Sequence, residues 1–140
     1  MAAYNKFQQF TKDLIDGVHD FDGHTFKILL TNSSPVNTNT VKANLTEISA
    51  GNGYTAGGNT VTMTTSTSSG TAKVVMGDTT FTASGGPIGP FRYAVLYNDS
   101  PSSPADPLIG WWDYGASITL ADGEVFTVDA DGTTGILTIA

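Results

Sequence analysis

The sequence predicts a mainly β fold, a β-sandwich or jelly-roll-like domain of about eight to ten short strands with one N-terminal amphipathic helix. Charged residues make up only 14% of the 140 residues, although soluble helical proteins carry many Glu, Lys and Arg side chains. Thr, Ser, Asn and Gly are abundant instead. From His24 onward, apolar residues recur mainly with a period of two, which is typical of half-buried strands.

The helix is predicted over residues 5–18. Its apolar residues recur every three or four positions and form one stripe. They are Phe7, Phe10, Leu14 and Val18. Asn5 is predicted to cap the helix, Gln8 to complete a capping box and Gly17 to end it. Because so short a helix is marginal alone, we expect its phenylalanines to be buried against the sheet or a neighbouring subunit.

Two segments predict the centre of the sheet. Residues 91–98 are apolar on both faces, which suits a central strand covered on both sides, and residues 108–115 are predicted to run antiparallel to it. Residues 41–48 fit either a short strand or a helical turn. The chain is predicted to end in a meander, with hairpin turns at residues 121–123 and 129–132.

One domain is expected over residues 1–140, with a helical segment at 1–22 and a β domain at 24–140. The net charge is -7, and no Lys/Arg cluster suits nucleic acid or an anionic membrane. The chain has no cysteine, which excludes disulfides and thiol chemistry. No signal-peptide pattern or apolar span is visible, so we expect synthesis in the cytoplasm.

The glycine-rich segment at residues 51–58, GNGYTAGG, is predicted to be a structural turn. In a dinucleotide-binding loop the third glycine would come one position earlier, and a P-loop would continue with Lys and Ser or Thr. The residues that follow are β-like, so no helix N-terminus is available for a phosphate. We therefore expect a tight turn with positive φ angles, anchored by Tyr54.

Two acidic segments are weak candidates for metal binding. His19 and His24 enclose two aspartates, but Gly17 and Gly23 break the scaffold that would aim metal ligands at one point, which favours a polar turn in which the aspartates cap backbone donors. Residues 129–132, DADG, begin like a calcium loop but lack its later ligands, so a hairpin turn is favoured and a weak calcium site is left open. No catalytic constellation is visible, and we expect no enzymatic activity, no cofactor and no metal.

Aromatic residues are the strongest candidates for a contact surface. Trp111, Trp112 and Tyr114 lie on one predicted strand, whose alternation places the two tryptophans on opposite faces. Core packing is one interpretation, since aromatic residues dominate small β cores. A protein–protein hot spot or a sugar-stacking platform, with Asp99 or Asp113 beside Trp112, is the functional alternative.

Four segments in a specific order resemble a widespread family of small structural proteins of tailed bacteriophages. They are residues 6–38, 47–58, 89–100 and 106–115, and the similarity extends from about Lys6 to about Gly123. Within that family the chain looks most like the capsid decoration, or cement, proteins, such as that of a Bordetella phage.

This resemblance implies a jelly-roll-like virion structural protein on the outer surface of an HK97-type phage head. Its partners would be the major capsid protein and itself, as a dimer or trimer that clamps adjacent capsomers. The alternative is a virion-attached host-receptor or carbohydrate-binding module of the tail- or head-fibre type. We predict that the oligomer or capsid contact involves either the helix stripe or the aromatic strand. The residues concerned are Phe7, Phe10, Leu14, Trp111, Trp112 and Tyr114.

Overall fold

The computed structural model describes residues 3–140, within which the chain forms ten strands, one α-helix and one 3-10 turn. The strands are β1 (Tyr4–Lys6), β2 (Phe26–Thr31), β3 (Asn59–Val61), β4 (Met63–Ser68), β5 (Thr71–Met76), β6 (Thr79–Thr82), β7 (Ile88–Asn98), β8 (Leu108–Leu120), β9 (Val125–Val128) and β10 (Leu137–Ile139). The helix α1 spans Gln8–Ile15, and the 3-10 turn spans Lys42–Asn44. The predicted mainly β fold with one N-terminal helix is confirmed. Neither helical segment has the length and apolar character that a membrane span requires.

Three antiparallel sheets form a sandwich-like arrangement. The largest has the strand order β1-β8-β7-β2-β3, and the smaller sheets have the orders β10-β5-β4 and β6-β9. Apolar residues of the large sheet pack against those of the small sheets in one main core. This core includes Ile28 and Leu96 from the large sheet and Met76 and Phe81 from the small sheets. The small sheets therefore cover one face of the large sheet.

The opposite face of the large sheet is covered by its own smaller cluster. Phe7, Leu29, Val95 and Tyr97 are buried there, and Leu45 from the loop after β2 packs against them. Since alternate residues of a strand point to opposite faces, β7 has to be apolar on both. The prediction that residues 91–98 form a central strand is confirmed, and so is its antiparallel pairing with β8.

The N-terminal helix is shorter than the sequence predicts. Residues 4–6 form β1, which pairs with the edge of β8 from Tyr4↔Trp112 to Lys6↔Gly110. Asn5 lies in that strand instead of capping the helix, and α1 begins at Gln8 without a side-chain cap. The edge of β8 offers these residues backbone partners and a contact for the Tyr4 ring, which outweighs local helix propensity. The helix ends at Ile15, before the predicted bound at residue 18, and Gly17 follows it with φ +77°, as predicted for its terminator.

The predicted C-terminal meander is wrong. β9 pairs with β6, and β10 pairs with β5, so residues 129–132 connect two different sheets. Ala130, which lies between β9 and β10 in the sequence, is buried, and its N–H donates to Asp78 Oδ1 at 2.9 Å. Asp131 then accepts hydrogen bonds from the backbone N–H groups of Thr133 and Thr134. The Asp-Gly pair predicts the turn correctly. However, the buried Ala130 precedes this turn, and the flanking strands β9 and β10 do not pair with each other.

The predicted glycine turn is confirmed. The backbone N–H and C=O groups of Gly51 and Tyr54 bond each other, and Asn52 and Gly53 lie between them with φ +56° and +96°. Two positive φ angles in an Asn-Gly pair are typical of a type I′ turn. Gly58 allows a close approach to β2, because a Cβ atom there would lie 1.8 Å from the Ile28 carbonyl oxygen.

Tyr54 anchors this loop on β2. The pairing of β2 with β3 ends at Ile28, so the Leu30 amide has no strand partner on that side. The Leu30 N–H donates instead to the Tyr54 hydroxyl at 3.0 Å, and the hydroxyl donates to Glu47 Oε1 at 2.6 Å. The same carboxylate oxygen accepts the Gly57 N–H at 2.6 Å. A side chain therefore completes the backbone hydrogen bonding of the strand.

We expect Tyr54→Phe to lower the free energy of unfolding by about 2 kcal/mol, because the change leaves the buried Leu30 N–H without an acceptor. Urea denaturation followed by circular dichroism measures this. Tyr114→Phe is the matched control, since the Tyr114 ring is 54% exposed, and we expect it to change stability by less than about 0.5 kcal/mol. Equal effects of the two substitutions would contradict the proposed anchor.

Candidate functional site: an aromatic groove

A groove of about 350 Å³ lies between the large sheet and β9. Its floor and walls come from β7, β8 and β9 and from the residue that follows β9. We call it the aromatic groove and define it by Arg92, Ala94, Trp112, Tyr114, Phe126 and Asp129. Tyr114 and Phe126 contact edge to face, with ring centroids 5.7 Å apart. The groove combines three aromatic rings with charged groups at its rim.

A β-bulge in β8 directs Tyr114 into the groove. Phe91 pairs with Ile118 and Tyr93 pairs with Asp113, so a single residue of β7 lies opposite residues 114–117 of β8. Gly115 has φ +98° within the bulge, and its N–H donates to Asp113 Oδ1 at 2.8 Å. Bulges commonly re-aim side chains near functional sites. Here the bulge leaves Tyr114 as one of the most exposed large apolar side chains of the described chain.

Arg92 and Asp113 form a bidentate ion pair at the rim. Arg92 Nε lies 2.7 Å from Asp113 Oδ1, and Arg92 Nη2 lies 3.0 Å from Oδ2. The hydrogen bonds from Arg92 and from the Gly115 amide lower the pKa of the Asp113 carboxyl below its ordinary value. Arg92 also lies over the Tyr93 ring, 5.4 Å from its centroid. Both charges are therefore engaged with each other.

A second depression of about 200 Å³ continues the groove towards β1. Trp112 and Asp129 line both, and Tyr4 and Ile136 line the second. The Tyr4 ring packs against Trp112 at 5.1 Å between centroids, and its buried hydroxyl has no hydrogen-bond partner among residues 3–140. Burial raises the pKa of that hydroxyl. Trp112 and Asp129 thus join the two depressions.

The helix stripe belongs mainly to the protein's own core. Phe7 is 0% exposed and Phe10 is 2% exposed, and the half-buried Leu14 packs against the main core. The structure therefore assigns these phenylalanines to the interior instead of a contact surface. They are buried because β1 holds the start of α1 against β8. The exposed apolar residue of the helix is Ile15, at 80%.

The aromatic strand is divided between two faces, as its alternation predicts. Trp111 is half-buried and packs against Phe7, with centroids 4.5 Å apart, on the face opposite the groove. Trp112 is half-buried in the groove, and Tyr114 is exposed at its edge. Of the predicted contact residues, the structure brings only Trp112 and Tyr114 together at one accessible place.

The two histidines meet at a buried amide. Asn98 Nδ2 lies 3.1 Å from His19 Nδ1 and 2.9 Å from His24 Nδ1, while Asn98 Oδ1 accepts the Ser100 N–H. Because the amide nitrogen only donates, both Nδ1 atoms must accept, and both rings carry their proton on Nε2. Burial lowers the pKa of His19 to about 4, against the opposing effect of the Asp13 carboxylate.

Of the two aspartates between these histidines, Asp20 serves the backbone of the turn, whereas Asp22 Oδ1 accepts the hydroxyl of Thr65. Asp20 Oδ1 accepts the N–H groups of Asp22 and Gly23, as predicted for this segment. Within residues 3–140, no group of three or more His, Asp or Glu side chains is arranged to hold a metal ion. The histidine pair is therefore a structural junction between the end of α1 and the end of β7.

Sequence reasoning missed four residues of the groove, namely Arg92, Ala94, Phe126 and Asp129. The single arginine on the strand beside the aromatic segment was one available signal. Gly115, directly after Tyr114, was another, because glycine within a strand often marks a bulge. Nothing in the sequence shows that β9 lies across the groove, since that depends on its pairing with β6.

A scan against protein-family models finds no match to the chain, and searches of curated proteins and of solved structures find none either.

The His19 environment predicts a loss of stability in acid. The folded-state pKa of about 4 lies below the ordinary value of 6.5, so the unfolded chain takes up a proton first as pH falls. His19 therefore contributes full stability above about pH 6.5 and loses it between there and about pH 4, by up to about 1.4 kcal/mol per pH unit.

Urea denaturation of the wild type and of His19→Gln across pH 7 to pH 4 measures this contribution. Other groups also titrate in this range, so the comparison uses the difference between the two curves. We expect the variant to lose stability less steeply than the wild type below pH 6.5. Parallel curves would show that His19 does not supply the acid sensitivity.

Proposed function

We propose that the protein is a virion structural protein that decorates the outer surface of an HK97-type phage head. In this proposal, small homo-oligomers bind the major capsid protein and clamp adjacent capsomers. The observation that carries the proposal is the ordered resemblance of the four segments between Lys6 and Gly123 to phage structural proteins. The mainly β, sandwich-like fold agrees with what that resemblance implies.

The aromatic groove is the surface that best suits the capsid contact. Protein interfaces commonly centre on tyrosine, tryptophan and arginine side chains beside a packed apolar patch. Tyr114, Trp112 and Arg92 provide this combination at one place. Affinity per copy can be moderate, because linked copies in a dimer or trimer gain avidity.

A reconstruction of virions that contain this chain tests the proposal. We expect density for the fold on the outside of the head, with several copies around each symmetry or quasi-symmetry axis. Quantitative mass spectrometry of the same particles gives the ratio of this chain to the major capsid protein. A few copies at the tail tip, or none in the particle, would reject the decoration function.

We expect Tyr114→Ala to weaken binding to purified heads about tenfold or more, as expected of an aromatic hot spot. Sedimentation of the protein with heads that lack it measures the affinity. Ile15→Ala is the matched control, because it truncates another exposed apolar side chain on α1. Loss of binding in the Ile15 variant alone would instead locate the contact on the helix.

A second candidate function is a virion-attached carbohydrate-binding or host-receptor module. Its specific support is the pair of rings, Trp112 and Tyr114, that meet in one groove with the carboxylate of Asp129. The earlier candidates for sugar hydrogen bonding fit less well, because Asp99 forms an ion pair with Lys27 and Asp113 is engaged by Arg92.

Glycan-array binding by the wild type and by Tyr114→Ala tests this second function. We expect a specific glycan signal that the substitution removes, while Trp111→Phe, on the opposite face, retains it. A wild-type protein that binds no glycan above background would reject the module.

A further inference from the structure

We propose that the aromatic groove binds a cationic side chain, an arginine or lysine, presented by a partner protein. The proposal specifies the chemistry by which the aromatic groove would recognise its partner, and it rests on the proposed function in taking the groove as a contact surface. The geometry of the groove supports it through its rings, its charges and its depth.

The rings of the groove suit the stem and head of a long basic side chain. Trp112, Tyr114 and Phe126 surround the space, and Phe126 is supported from behind by Phe91 at 5.0 Å between centroids. Aliphatic stems of lysine and arginine pack on such apolar surfaces, and their charged heads are attracted to aromatic faces. The support from Phe91 keeps the Phe126 wall in place.

The charges of the groove leave one free carboxylate. Arg92 is engaged by Asp113 in a bidentate pair, so it adds little net positive charge. Asp129 lies at the rim of both depressions, and among residues 3–140 its side chain has no hydrogen bond or ion pair. The rim therefore presents an uncompensated negative charge beside three aromatic rings.

Ala94 explains the depth of the groove. It lies directly opposite Trp112 in the pairing of β7 with β8, and it is buried at the floor. The neighbouring residues of β7 that face the core are large, including Phe91 and Leu96. The single small side chain opens the space between Trp112 and β9. A larger residue at position 94 would fill this space without changing any charge.

Polar groups near the groove favour a cation over a sugar. Saccharide recognition needs several directional donors and acceptors for hydroxyl groups. Arg92 pairs its charge with Asp113 through Nε and Nη2 and offers a ligand only its remaining N–H groups, while Asp113 also accepts the Gly115 N–H. The carboxylate of Asp129 remains, together with the exposed hydroxyls of Tyr114 and Thr127. One carboxylate beside aromatic rings provides the main contacts that a cation needs, but only part of the hydrogen bonding that a sugar needs.

The charge of the whole chain agrees with a basic partner. The net charge is -7, with 13 acidic and 6 basic residues. An acidic protein is attracted to basic surfaces and repelled by acidic ones, which raises the rate of encounter with a basic partner. A groove that binds arginine or lysine would give the basic partner a specific point of contact after this long-range attraction has brought it close.

Nuclear magnetic resonance of the isolated protein tests the inference. The chain has two tryptophans, whose indole N–H signals can be assigned with Trp111→Phe and Trp112→Phe. The probe is acetyl-arginine amide, with acetyl-citrulline amide as its neutral analogue of nearly the same shape. We expect the arginine probe to shift the Trp112 signal saturably and leave that of Trp111, on the opposite face, unchanged.

Substitutions separate charge from shape. We expect Asp129→Asn to weaken the arginine probe about two- to fivefold, as for a partly exposed ion pair. Asp16→Asn, directly after α1, removes the same charge outside the groove and should leave the affinity unchanged. Ala94→Leu should abolish the shift by filling the groove. Asp129 is exposed, so its variant provides a test even where Ala94→Leu disturbs folding.

Three results would overturn the inference. They are no saturable shift of Trp112 with the arginine probe, equal affinity for the citrulline probe, and tighter binding of a methyl glucoside at Trp112. The last would support the saccharide function instead. All of these tests use the free protein, so their failure is distinguishable from failure of the decoration function, which depends on the copy number in virions.

Discussion

The hydrogen bond from the Leu30 amide to the Tyr54 hydroxyl is the constraint on which the large sheet depends. β2 has β7 on one side along its whole length, but β3 covers its other side only as far as Ile28. Beyond that point the buried backbone needs partners, and Tyr54 and the Ile48 amide provide them. The glycine turn and Glu47 hold Tyr54 in place. A loop therefore completes a strand edge that would otherwise be open to solvent or to another chain.

The length and irregular pairing of β8 explain the groove. β8 is long enough to pair with β1 on one edge and with β7 on the other, where a bulge separates two stretches of regular pairing. Its regular part buries Ile109 in the main core, whereas its bulge leaves Tyr114 exposed. The Arg92–Asp113 pair and the Gly115 amide hold this bulge. Arg92 thus helps to stabilise the bulge and also lines the aromatic groove.

Buried polar groups are concentrated where the N-terminal segment joins the sheet. Asn98 bonds both histidines and the Ser100 amide, while Asp13 and His19 each keep one buried polar atom without a partner in the described part of the chain. Partly satisfied polar junctions cost stability and respond to protonation. Aromatic stacking offsets this cost, since Phe21 lies parallel to Phe26 at 4.8 Å between centroids beside His19. Both imidazoles must accept a hydrogen bond from the Asn98 side-chain amide. This requirement favours one position of α1 against the sheet.

The sequence by itself determined the class of fold, the central double-faced strand, the opposite faces of Trp111 and Trp112, and the turn around Tyr54. These features follow from local periodicity and from the φ angles that glycine permits, which neighbouring residues specify. Only the tertiary structure decided that residues 4–6 leave the helix to become β1, that Phe7 and Phe10 are buried in the chain's own core instead of against a neighbouring subunit, and that β9 and β10 join different sheets. Each of these depends on which strand edge is available far along the chain. The groove belongs to the second group, because Ala94, Tyr114 and Asp129 meet only after that long-range pairing is made.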